Sequence, residues 1–320
     1  MMSKTIAVVL LIEDIERYVE QFKLLVITIR TENKNTPIYA ITPTLFRLSK
    51  SDILWCHDHD VMYSVHSEYH DTCRGSEMIV HSNIIAAQTM VIASDIVRED
   101  MILYIDVDTV CLGKINDIQL GSDNQLYISR INKVISTDDY IDDTLPGYME
   151  NFVKTTHKHL KLVKEYKEFS SWPSSWFIYH PRESPFWCEW LDYMSEYNKK
   201  VIKSPVIGRY KMTCQIVEQG EESGLLHLMD KYNFTGASSD TCRLSYFDRK
   251  RSITRGDTII YNYGGFHQHA GRIDVDYIKE YIKSNNIGVN STRTSASELD
   301  LGEGYMYRYE YLQVKHGLSD

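Results

Sequence analysis

Met101-Ile102-Leu103-Tyr104-Ile105-Asp106-Val107-Asp108-Thr109-Val110-Cys111-Leu112-Gly113 is the stretch around which the chain is arranged. A mostly apolar run meets two aspartates at i and i+2, and a second apolar run continues to a glycine. An apolar run without polar alternation reads as a strand buried on both faces, as in the middle of a parallel sheet. Side chains at i and i+2 of a strand share a side, so Asp106 and Asp108 are expected close together. Two like charges at the end of a buried strand repel, and burial raises both pKa values. A divalent cation is the simplest compensation, because hard cations prefer carboxylate oxygens. Two aspartates entering a solvated loop are the plain alternative.

Upstream, Thr5 to Ile12 reads as a buried strand, followed by the acidic turn Glu13-Asp14. Tyr18, Val19, Phe22, Leu25, Val26 and Ile29 then recur at helical spacing, with Asp14 as N-cap. Pro37 to Thr42 is a second strand and Val61 to Val65 a third, and Gly75 to Ile96 is a helix feeding the aspartate strand. Strand, helix, strand is how a parallel nucleotide-binding sheet opens. No Gly-x-Gly-x-x-Gly follows the first strand, so the dinucleotide fingerprint is missing. Cys56, His57, His59, His66, His70 and Cys73 cluster near the third strand but fit no compact zinc spacing.

Downstream, Asp123 to Arg130 returns as a strand, Thr137 to Asn151 is an acidic surface excursion, and residues 152–169 are helical. Ser170 to Pro181 reads as a turn-rich approach to a short strand, before an apolar helix from Ser184 to Tyr197. Glu221 and Glu222 open a helix through Tyr232. Thr258 to Gly271 is a strand entering a glycine- and histidine-rich loop, followed by a helix from Val275 to Ser284 and a tyrosine-rich tail.

The formal charge of -9 and the lack of a Lys/Arg cluster exclude a general nucleic-acid binder. Six cysteines without a C-x-x-C pair favour free thiols and a reducing compartment. The apolar run Ile6 to Ile12 is about a third of a membrane span, and no basic leader or cleavage site accompanies it. A cytoplasmic location without a transmembrane segment is therefore expected.

In order, these landmarks resemble the GT-A glycosyltransferases over roughly residues 5 to 271. Leu103-Tyr104-Ile105-Asp106-Val107-Asp108 is similar to the family's Leu-Tyr-Leu-Asp-x-Asp variant. Glu221-Glu222-Ser223, with Leu225 and Lys231-Tyr232, is similar to the Asp-Glu-Ser…Leu-Asn-Lys-Tyr segment of retaining galactosyl- and N-acetylgalactosaminyltransferases. The resemblance implies an α/β, Rossmann-like mixed sheet, mostly parallel and flanked by helices, in a single domain. That domain would span 1–272, with a nucleotide-sugar half to about 130 and an acceptor half from 131, and a C-terminal helix and tail over 273–320.

It also implies metal-dependent transfer, with Mn²⁺ or Mg²⁺, from a nucleotide-sugar (a UDP-sugar) to a glycan or other hydroxyl acceptor, of the retaining type. Asp108 would be the direct metal ligand, and Asp106 would bond the ribose or hold the metal through water. Glu13 and Asp14 would meet the nucleotide base and Asn83 the donor. Glu221 or Glu222 would face the anomeric carbon as nucleophile or electrostatic support, or act as general base in an inverting enzyme. Trp172 and Trp176 would stack on sugar faces. The family's late histidine ligand falls to His267 and His269 jointly, in a loop whose spacing departs from the family's. Alignment on the glycine would instead put Tyr261 or Asn262 there, leaving His267 to contact phosphate.

Two other functions compete. Asp106-Val107-Asp108-Thr109-Val110 is similar to the first motif of haloacid dehalogenase phosphatases, with Asp106 as nucleophile. That motif normally opens its domain, and the later Gly-Asp-x-x-x-Asp strand is missing here. A non-catalytic nucleotide-sugar-binding module is the second rival.

Overall fold

The computed structural model describes residues 4–12, 16–43, 47–66, 78–118, 126–131, 172–202, 224–225, 228, 231–232, 234–237, 242–244, 258–262, 280–281 and 283–286. The chain opens with β1 (Ile6–Leu11), α1 (Glu16–Glu32), β2 (Ile38–Pro43), α2 (Lys50–Asp58), β3 (Val61–His66), α3 (Met78–Ile96) and β4 (Met101–Ile105). Then come β5 (Thr109–Cys111), a 3₁₀ turn (Ile115–Asp117), β6 (Leu126–Ile131), β7 (Trp172–Pro181) and α4 (Phe186–Ile202). Three short strands follow: β8 (Phe234–Ala237), β9 (Cys242–Leu244) and β10 (Ile260–Asn262).

Seven strands form the main sheet in the order β3-β2-β1-β4-β7-β6-β8. Pairing is parallel throughout except at β7, which runs against both β4 and β6. The fold is thus the mixed, mostly parallel α/β sheet flanked by helices that the resemblance implies. Successive connections step outward from β1 to β3, then α3 carries the chain back past β1 to β4. Right-handed crossovers then require α1 and α2 on one face and α3 on the other.

The core divides accordingly. Val8, Leu10, Leu103 and Ile105 pack with Phe22, Leu25 and Ile29 of α1 and with Cys56 of α2. The alternate residues Ala7, Val9, Ile102 and Tyr104 pack with Met90 and Ala93 of α3 and Trp187 and Trp190 of α4. Every residue of β4 is buried, which explains its unbroken apolar run. The order reverses between β1 and β4, and a crevice beyond the carboxyl ends of strands at such a point is where open α/β sheets bind ligands.

Two readings change. The expected turn-rich approach is strand from Trp172 onward. It lies between β4 and β6, and its pairing jumps between Ile128 and Ser129 of β6. Its prolines sit where the sheet tolerates them: Pro173 lies beyond the β4 pairing, which covers Phe177 to Pro181, and Pro181 ends the strand. Helix α2 was missed by periodicity, although Ser49 caps it by accepting from the Asp52 amide at 3.2 Å. The expected excursion over 137–151 and helix over 152–169 lie outside the described residues. Near the C-terminal end, Tyr281 donates to Glu32 Oε1 of α1 at 2.6 Å.

Candidate active site

Asp106 is the first residue after β4, at the carboxyl edge of the sheet beside the reversal point. Tyr104, two residues earlier and so on the same side of the strand, donates its hydroxyl to Asp106 Oδ1 at 2.8 Å. Burial and the nearby Asp108 charge push the Asp106 carboxyl well above the usual carboxylate range, while the Tyr104 hydroxyl pulls it down. Asp106 and Asp108 both retain partial exposure to solvent.

After the Asp-Val-Asp turn the chain enters a second sheet of order β5-β10-β9. Thr109 stands opposite Asn262 in its antiparallel β5–β10 pair. Asn262 Nδ2 donates to Asp108 Oδ1 at 2.7 Å and to Thr109 Oγ1 at 3.2 Å. Beyond the turn, the Cys111 amide donates to Thr28 Oγ1 of α1 at 3.1 Å, and Asn33 Nδ2 donates to the Gly113 carbonyl at 2.9 Å. The acidic turn is therefore held by β4 on one side and by α1 and β10 on the other.

Trp176 lies at the same level of the sheet edge. Ile105 pairs with Phe177, so the next positions outward on the antiparallel strands are Asp106 and Trp176. Trp172 lies further along β7, opposite Ile131. Asn83 is in the N-terminal part of α3. Since α3 descends from the carboxyl end of β3 to the start of β4, this part of the helix is at the same edge.

Gly224, Leu225, Leu228, Lys231 and Tyr232 are helical. A Cβ on Gly224 would lie 3.0 Å from ring carbons of both Trp190 and Tyr193. Lys231 pairs with Glu189 at 2.6 Å, and the Tyr232 ring lies 5.5 Å from Phe186. This helix therefore runs antiparallel to α4. Because α4 starts at the far end of β7, the N-terminus of this helix points toward the edge that carries Asp106. Glu13, Asp14, Glu221, Glu222, His267 and His269 themselves lie outside the described residues, as do the side chains of Asn83, Trp172 and Trp176.

Tyr104 and Thr109 were not anticipated; Asn262 was reached only as an alternative for the late ligand, and here it stands beside Asp108 as a hydrogen-bond donor. The i, i+2 spacing could have revealed Tyr104, but nothing local connects position 262 to position 108. The described partners of the aspartates supply no imidazole or thiolate, and no third His, Cys, Asp or Glu joins them among the described residues. Two crowded, partly open carboxylates, one with its ionisation suppressed, form an oxygen donor set that suits a hard divalent cation.

The fold is GT-A-like. No family model matches the sequence, and no curated protein matches it in sequence. Among solved structures, the bifunctional glycosyltransferase WbbM in its apo form is similar at a TM-score of 0.52 and 12% identity, over 96% of this chain and 52% of that one. This chain thus spans about half the length of that protein. The galactosyltransferase LgtC, solved with donor and acceptor sugar analogs, gives a TM-score of 0.47 at 12% identity over 87% of this chain and 95% of its own. GlyE of Streptococcus pneumoniae TIGR4 gives 0.45 at 12% identity over 97% and 64%. At such identity the WbbM similarity defines the fold and leaves the activity to the site.

Proposed function

We propose that this chain is a glycosyltransferase that moves a sugar from a UDP-sugar to a glycan or other hydroxyl acceptor with retention of configuration. The observation that carries the reading is the convergence of Asp106 and Asp108 at the carboxyl edge of β4, beside the reversal of the GT-A-like sheet. A nucleotide-sugar leaves behind a diphosphate whose negative charge grows as the glycosidic bond breaks. Mn²⁺ or Mg²⁺ bound at Asp106 and Asp108 would supply Lewis-acid stabilisation of that leaving group.

The protein's own groups do the rest. Tyr104 donates to Asp106 and partly offsets the suppression of its ionisation, and Asn262 holds Asp108. Glu13 and Asp14, which follow β1 in the sequence, are assigned to the base, with Asn83 in the N-terminal part of α3 assigned to the donor. Trp176 is assigned to stacking on a sugar face beside Asp106, and Trp172 to the outer acceptor region. Glu221 and Glu222 precede in sequence the helical residues from Gly224, and are assigned to the anomeric carbon, which a carboxylate would support or attack. His267 and His269, shortly after Asn262, are assigned to the metal or the phosphates.

A thermal-shift screen of UDP-, GDP- and CMP-sugars with and without Mn²⁺ tests this. Stabilisation by UDP or a UDP-sugar only with Mn²⁺, abolished in Asp108→Asn, is the expected result. No shift with any nucleoside diphosphate would overturn the reading, and binding without release of UDP from any donor would reduce it to a binding module.

A further inference from the structure

We propose that Asn262 is a positioning residue that fixes the Asp108 carboxylate through its side-chain amide, so that the small second sheet controls the affinity of the cation site. The inference rests on the reading that Asp106 and Asp108 hold a divalent cation, and it concerns how one of them is made ready.

A carboxylate only accepts hydrogen bonds, so the amide end that faces Asp108 has to be the NH₂. One of its hydrogens serves Asp108 Oδ1 at 2.7 Å and the other serves Thr109 Oγ1 at 3.2 Å. With both donors engaged, the amide has a single orientation. Its backbone is fixed as well, because Asn262 stands opposite Thr109 on β5 and beside Leu244 on β9. Asn262 and Thr109 are almost fully buried, at 3% and 0% exposure, so water does not compete for these bonds. Asp108 itself is on a turn outside any strand and depends on side-chain contacts for its orientation.

The chemistry of the donor matters as much as its place. A lysine or arginine at this distance would hold Asp108 equally well but would cancel the negative charge that attracts a cation. A neutral amide orients the oxygen and leaves the charge intact. Residues that orient metal ligands in this way typically change metal affinity by about 10–100-fold when removed.

Mn²⁺ alone, titrated calorimetrically into the full-length chain, tests the proposal. Asn262→Ala is expected to weaken Mn²⁺ binding by at least about tenfold, and Asn262→Lys to abolish it. Thr109→Val, nearly isosteric, leaves the Asp108 contact but frees the second amide hydrogen, and a loss of a few fold is expected. Asn262→Ala should lower Mn²⁺ affinity in protein that is still fully folded at the titration temperature without metal, whereas a merely structural role would move the unfolding free energy and leave the affinity in place. If Asn262→Ala does not fold, Thr109→Val decides the matter. Wild-type Mn²⁺ affinity in the folded variants overturns the clamp while leaving the cation site standing. No Mn²⁺ binding by the wild-type chain overturns the cation site and the clamp together.

Discussion

Tyr104 and Asp106 share one side of β4, and their hydrogen bond favours the ionised form of a carboxyl that burial and Asp108 both oppose. The folded chain holds the Asp106 proton more tightly than the unfolded chain does. Ionisation of Asp106 therefore subtracts stability as pH rises above the ordinary carboxylate range. Tyr104→Phe removes the donor and deepens that loss. A hydrogen bond to a charged group contributes about 1.5–3 kcal/mol, so a deficit of roughly that size is expected at alkaline pH. It should shrink as pH falls and Asp106 protonates. Urea denaturation of both proteins across that range measures it, and a deficit independent of pH would refute the assignment. The aspartate pair was legible because its signal is local: an apolar run, then two charges with strand spacing. The clamp from Asn262 was not, because it depends on a strand pairing with a partner 154 residues away.

Among the elements, α1, α3 and α4 were readable from apolar periodicity, and β1 and β4 from runs buried on both faces. Helix α2 buries only Cys56, so periodicity had little to report, and the signal lay in its cap instead. The short β5, β9 and β10 carry too few residues for a pattern and exist through their pairing with one another. The helical Gly224 shows how packing overrides propensity. Glycine weakens a helix, but here any Cβ would press on the rings of Trp190 and Tyr193 at 3.0 Å. Overpacking of this kind costs about 1–3 kcal/mol, more than the helical gain over glycine. Gly224→Val is accordingly expected to lower the thermal midpoint. Because Gly224 follows Glu221 and Glu222 in sequence, turnover in the variant should fall more than Mn²⁺ affinity. Equal losses in both would argue against a separate role for these acids.

At the scale of the whole molecule, the seven-stranded sheet and its two core layers follow from the order of the apolar segments and the handedness of their connections. Its resistance to acid depends on a residue that neither explains. His180 on β7 is 4% exposed and edge-on to the rings of Phe186, Trp187 and Tyr232. Burial pushes its pKa down to about 2. Below the ordinary value of 6.5 the unfolded chain takes up a proton that the folded chain refuses. Stability therefore falls with decreasing pH by up to about 1.4 kcal/mol per unit from this residue. His180→Phe should flatten the loss of unfolding free energy between about pH 6.5 and 5. An unchanged slope would show that other groups govern it. Among the described residues, no helix is long and apolar enough to cross a membrane.

The pairing of β5 with β10 also bears on how the protein is made. Asp108 leaves the ribosome 154 residues ahead of Asn262. At about 5–20 residues per second, that is a delay of roughly 8–30 s during which the acidic turn lacks this partner. Non-local pairing of this kind is slow to form because the intervening loop has to close first. The nascent chain therefore carries its aspartate pair without the Asn262 clamp until β10 has emerged and paired, so the cation site reaches its full affinity only late in synthesis.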